Sequence, residues 1–355
     1  MTDLITQTQL RATLDGAGQR YQFMALADGF SLIVTQRGGR IFSFLPDGAP
    51  LCWINPVLTT AESFRAAVAE GVWNLGGERI WIAPEVQYNS SDRSRFLETL
   101  LFPPQMDPAQ YTFDADTTSA RLKADMTLQA YNLASGSTTL TVEHHIRTGL
   151  PNPLRALKAF DPLMRGVAYA GFMRSVHLAT APTDPLHSES WCLMQLNPGG
   201  TMIIPATVAD AEVSTYFGDP APDSLTVSDG AYRLALTGRR EYKTGYKAAA
   251  LTGRLGYLNV LADGRGYLII RNYFNNPSAI YAEEPPGLPG VNGHSVHAYN
   301  GGGDFGQMGE LEVTGQTIGG VSGRASSTDD FVLWVFSGAR EQLQAIGRVL
   351  LGVTL

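Results

Sequence analysis

The sequence predicts an all-β fold, a sandwich or barrel of many short strands, and three observations carry that prediction. Runs rich in Val, Ile, Tyr, Phe and Thr recur along the chain, broken about every 8–12 residues by Gly, Pro, Asn or Asp. With 38 Gly and 20 Pro there are turn residues enough to punctuate them. Helical periodicity is confined to two stretches, too few to cover the faces of a parallel sheet, which excludes doubly wound α/β folds. Helix is expected to stay below about a fifth of the residues.

Taken in order, the strand signals are FSLIVT and RIFSFL near the start, then TTLTVEHHI, GTMIIPA, YRLALTG and GYLIIRNYF, and finally HSVHAYN, GELEV and DFVLWVF. The helical stretches are Thr60 to Glu70 (TAESFRAAVAE) and Ala339 to Leu351 (AREQLQAIGRVLL), the second opened by Ser337-Gly338. No Pro/Ser linker, composition shift or internal repeat divides the 355 residues, so a single domain over 1–355 is expected. Glu283 to Gly293 (EEPPGLPGVNG) is dense in Pro and Gly and reads as a long functional loop.

A net charge of −7 argues against nucleic acid or an anionic membrane as partner, because neutralising phosphates requires an excess of Lys and Arg. Cys52 and Cys192 are the only cysteines and are expected to be free, buried thiols. The start, MTDLITQTQLRATLDG, has neither a basic nor an apolar signal region, and no apolar run reaches membrane-spanning length. A cytoplasmic address is therefore expected.

The strong catalytic and nucleotide-binding motifs are missing, so chemistry must come from looser clusters. Val72 to Gln87 (VWNLGGERIWIAPEVQ) gathers Glu78, Arg79, Trp81 and Glu85 around the Gly76-Gly77 turn. Sugars are bound by such mixtures, an aromatic face packing on the ring while charged groups take the hydroxyls. In GELEV, period two puts Glu310 and Glu312 on one face and Leu311 on the other. Like charges so placed repel, so one carboxyl is expected to keep its proton near neutrality. His297, Ser295 and Tyr299 likewise share a face. Arg239 to Lys247 (RREYKTGYK) reads either as a solvated basic hairpin or as a cation, from Lys243, for an acidic or phosphorylated sugar. His144 and His145 point opposite ways, and no cluster has metal-ligand spacing; neither metal nor cofactor is expected.

Several stretches, in this order, resemble the galactose-mutarotase-like superfamily, in an uncharacterised branch rather than aldose 1-epimerase proper. They are GGRIFSF, CWINP, NLGGERIWIAPE, LNPGGTMIIPA, TYFGDP, YKTG, HAYNGG and GELEV. The resemblance implies a β-supersandwich of two large packed sheets with the sugar on one concave face. It also implies that Glu310 or Glu312 takes the proton of the anomeric hydroxyl. The histidine that would protonate the ring oxygen falls near NPLRALKAFDP (Asn152 to Pro162), which contains none, leaving His297 or Glu85 as the acid. A sugar mutarotase or epimerase is expected, with Glu310, Glu312 and His297 catalytic and Glu78, Arg79, Trp81, Glu85, Lys243, Tyr299 and Asn300 binding substrate. The alternatives are a non-catalytic carbohydrate-binding protein on the same fold and a glycoside hydrolase or lyase of related architecture.

Overall fold

The structure, a computed structural model, describes residues 4–207, 213–303 and 305–355. Strand dominates, and helix, at 17%, stays within the range the sequence predicts. Among the described residues, two antiparallel sheets form. One runs, edge to edge, Tyr21–Ala25, Ser31–Thr35, Ile41–Phe44, Glu78–Ala83, Glu189–Leu196, Gly309–Thr314, His294–Asn300, Tyr242–Lys247 and Val213–Phe217. The ten strands of the other run from Leu225–Ser228 at one edge to Thr112–Ala115 at the other, with Arg265–Tyr273, Ser326–Ala339 and Ala168–Ala179 at the centre.

Alternation along each strand sends one set of side chains between the sheets, where Ile80 and Leu311 of the first meet Ile269 and Leu333 of the second in one apolar core. A buried ion triad crosses that core: Glu78 pairs with Arg271 and, at 3.6 Å, with Arg174, both from the ten-stranded sheet. The C-terminal helix, Arg340–Leu351, covers the outer face of that sheet, seating Leu343, Ile346 and Leu350 on Leu268, Ile270 and Phe336. Each such side chain contributes about 1.5–3 kcal/mol by leaving water.

Local chemistry accounts for the helices and for two corrections. Ala61–Ala69 begins where expected because Thr60 and Ser63 form a reciprocal capping box. Ser337-Gly338 does not open the last helix: the strand continues to Ala339, held by pairing with Gly266 and Tyr267, and the helix follows at once. A further helix, Gln7–Gly16, is capped by Thr6 and buries Leu10, Thr13 and Leu14. Its i, i+3, i+4 spacing was available in the sequence. Cys52 and Cys192 are free and buried, and burial pushes their thiols up to about 11 and about 12, out of the reactive range. Among the described residues no helix is long and apolar enough to cross a membrane.

Candidate functional site

The outward face of the nine-stranded sheet carries the site, and strand register assembles it. Arg79, Leu193, Glu312, His297 and Gly245 lie in one row across five strands. Gln195, Glu310, Tyr299 and Lys243 form the row beside it. Arg79, Trp81, Glu85, Lys243, Tyr299, Glu310 and Glu312 thus line one cavity, although Arg79 and Glu310 are 231 positions apart. The Gly76-Gly77 turn sets the entry of the Arg79 strand. Gly76 has φ +93°, and a Cβ there would lie 2.4 Å from the Trp53 carbonyl oxygen.

Each charged group on the cavity floor has an ion-pair partner, but one carboxyl, Glu312, accepts no hydrogen bond. Arg79 donates to Glu310 at 2.9 Å and lies over the Trp81 ring, 4.5 Å from its centroid. Gln195 donates to the same Glu310 oxygen at 2.7 Å. Lys243 donates to Glu85 at 2.6 Å, sits 3.4 Å from Glu312 and stacks over Trp191. Burial works against the Lys243 charge, but Glu312, Glu85 and Glu283 outweigh it and raise its pKa. Glu312 is only 1% exposed, and neither of its oxygens has a donor. Its carboxyl is pushed up to about 8, chiefly by burial; Lys243 opposes the shift, while Glu310 and Glu85 add to it. Desolvation therefore outranks the repulsion between the paired glutamates that the sequence suggests.

Aromatic side chains wall the cavity. Trp73 stacks on Phe102 at 4.1 Å, and Phe305 packs against both rings. Phe96, from the short helical segment Arg93–Thr99, meets Phe217 of the edge strand. Arg93 ties that segment to the Pro/Gly loop by pairing with Glu284 and donating to the carbonyls of Pro285 and Pro286. Glu283, in the same loop, accepts from the backbone N–H of Glu85. The loop thus braces the site from behind.

Three expected site residues lie elsewhere. Glu78 neighbours Arg79 on one strand, so period two turns it into the inter-sheet core, where it pairs with Arg174 and Arg271. Asn300, next to Tyr299, turns away for the same reason and bonds the backbone of Gly238 and Arg240. His297 is on the correct face but is fully buried beneath Tyr216, whose hydroxyl is 3.0 Å from Nε2. Gly245 makes that cover possible, since a Cβ there would lie 2.6 Å from the Tyr216 ring. Burial, then Lys243 and His294, hold the His297 pKa well below normal, so it stays neutral and off the cavity wall. Nor does Asn152 to Pro162 supply a strand here; its Leu154 joins the core under the C-terminal helix.

Lys243 is no solvated hairpin residue: it is 2% exposed and paired. Glu241, two positions earlier on the same face, joins the cavity wall and accepts from the Tyr299 hydroxyl at 2.8 Å. Its spacing from Lys243 was a usable signal; nothing periodic marked Phe96, Phe102 or Phe305. Among the described residues no three His, Cys, Asp or Glu side chains converge to hold a metal ion.

Residues 32–355 match a family of unknown function, DUF6786. The chain belongs to this family. The matched span of this DUF6786 protein contains every residue of the cavity. No curated protein matches the sequence. Similar solved structures include a Synechocystis protein, at 14% identity and a TM-score of 0.44 over 90% of this chain and 96% of that one. A galactose mutarotase related enzyme from Lactobacillus acidophilus is similar at 8% identity and 0.45, covering 90% and 97%. A GalM/aldose epimerase homologue from C. elegans is similar at 8% and 0.42, covering 91% and 100%.

Proposed function

We propose that the chain binds a small carbohydrate in this cavity and opens its hemiacetal ring by acid–base catalysis, as a mutarotase or epimerase does. The observation that carries the reading is the contrast between two neighbouring carboxyls. Glu310 is held by Arg79 and Gln195, whereas Glu312 is buried, free of hydrogen bonds and beside Lys243. Paired carboxyls in unlike surroundings can divide base and acid roles between them. Glu310 takes the proton of the anomeric hydroxyl and Glu312 gives one to the ring oxygen. The C1–O5 bond then breaks, a carbonyl forms at C1, and reclosure on the other face exchanges the anomers. Glu85 holds Lys243, and the aromatic walls pack on the apolar face of the ring.

The cavity measures about 50 Å³, against roughly 150 Å³ for a void that holds benzene. A pyranose therefore enters when the Phe96–Phe102 roof lifts, or inserts one edge only. A non-catalytic carbohydrate-binding role is the second reading, and the burial of His297 off the cavity wall favours it. In either role the partner is a small molecule rather than nucleic acid or membrane, as the net charge of −7 supports. A reducing, cytoplasmic setting suits the two free thiols. Polarimetry on freshly dissolved α-anomers of several aldoses tests the catalytic reading. Equilibration should accelerate in proportion to protein concentration for at least one sugar. Binding without acceleration would establish the second reading, and neither would remove both.

A further inference from the structure

Four carboxyl side chains line the cavity, Glu85, Glu241, Glu310 and Glu312, against two cations, Arg79 and Lys243. Both cations are already committed. Arg79 is shared between Glu310, at 2.9 Å, and Asp107, at 3.6 Å. Lys243 is shared between Glu85 and Glu312, with Glu283 close behind. An incoming phosphate or carboxylate would therefore find no unpaired cation in the wall and, with Glu312 protonated, would still face a surplus of one carboxylate.

Beside that surplus, Glu312 keeps two buried oxygens that accept no hydrogen bond, Lys243 lying 3.4 Å away. A buried acceptor left without a donor costs roughly 1–3 kcal/mol, which a ligand N–H would recover. The rings of Trp73, Phe96, Phe102, Phe217 and Phe305 line the same cavity. Aromatic faces combined with carboxylates recognise ammonium groups, because the ring quadrupole and the anion both attract positive charge. The cavity, about 50 Å³ and partly open to solvent, takes a small substituent rather than a whole ring. Burial is also what keeps Glu312 protonated near neutrality, which leaves Glu241, paired with no cation among the described residues, as the carboxylate that meets an ammonium.

We infer that the ligand is a cationic sugar, an aldose carrying a free amino group, whose ammonium enters the aromatic cavity beside Glu241. This rests on the carbohydrate reading above and narrows it. Phosphorylated sugars and uronic acids are excluded by the same charge balance, and N-acetylated sugars lose the charge that the cavity attracts.

Isothermal titration of the full chain at pH 7 against a fixed panel tests this. The panel contains D-glucosamine, D-galactosamine and D-mannosamine, their parent hexoses, their N-acetyl forms, the hexose 6-phosphates, the uronic acids and choline. At least one amino sugar should bind about tenfold or more tighter than its parent hexose and its N-acetyl form, with no heat from the anionic sugars. Glu241→Gln should shrink that ratio severalfold, the readout being the ratio within one variant, so a small loss of folded protein does not mimic it. Parent hexoses or anionic sugars binding as well as amino sugars would overturn this inference while leaving the carbohydrate reading intact. Choline alone binding, or no member binding, would overturn both.

Discussion

Glu312→Gln is expected to slow sugar mutarotation by roughly 10²–10⁴-fold, the usual cost of losing a positioned proton donor. Glutamine keeps the shape and fills the same space beside Lys243, so the fold is retained. The pH dependence follows from the raised pKa. With the carboxyl pushed up to about 8, the acid form predominates at neutrality and is lost as pH rises through that value. Wild-type activity should therefore fall on an alkaline limb near pH 8, and the variant should lack that limb. The groups facing Glu312 are Glu310 on its own strand, Arg79 and His297 along its row, Lys243 in the row beside it, and Glu85 at the cavity edge. Of these, Lys243 stays charged and His297 neutral over this range.

Stability carries the same signature with a definite sign. A carboxyl whose folded pKa is raised holds its proton longer folded than unfolded. Its stabilisation is complete below the ordinary carboxyl range and is lost as pH rises through about 8. Wild type should lose thermal stability between about pH 5 and pH 8, and Glu312→Gln should lose less. A variant with full activity and an unaltered alkaline limb would remove Glu312 from the chemistry.

Glu78→Ala should be the most damaging single change to the fold, costing about 3–5 kcal/mol in denaturant unfolding. It leaves the guanidinium groups of Arg174 and Arg271, both fully buried, without their shared anion. An exposed pair gives the contrast. Lys123 and Glu143 approach to 2.7 Å, but both are about half exposed. Lys123→Ala should therefore change stability by less than about 1 kcal/mol. A Glu78→Ala loss no larger than that of Lys123→Ala would show that the triad is not held as tightly as its burial implies.

Strand parity explains both what the sequence disclosed about the site and where reading it went astray. Arg79, Trp81, Glu310 and Glu312 could be placed on faces because side chains alternate strictly along a strand. The same rule, applied to neighbours, turns Glu78 away from Arg79 and Asn300 away from Tyr299, so only one of each adjacent pair can reach the cavity. His297 is a different case. Its face was correct, but its cover comes from Tyr216, on an edge strand some 80 residues earlier, admitted by the missing side chain of Gly245. No local pattern encodes that contact.

Lys243 was hard to read for a related reason. A lysine in an Arg/Lys-rich hairpin looks solvated until Glu85 and Glu312, distant in sequence, arrive beside it. The aromatic roof is the least legible part. Phe96 and Phe102 sit in a segment without strand or helix periodicity, and only tertiary packing against Trp73 and Phe217 gives them a place.

The most direct measurement is a crystal structure of the protein grown or soaked with an aldose or amino sugar that binds it. The sugar should lie against the nine-stranded sheet, within hydrogen-bonding distance of Glu312, with one ring face on the aromatic walls and the Phe96–Phe102 segment displaced outward. A sugar bound on the ten-stranded sheet, or at any position that leaves Glu310 and Glu312 untouched, would contradict the assignment of this cavity as the carbohydrate site.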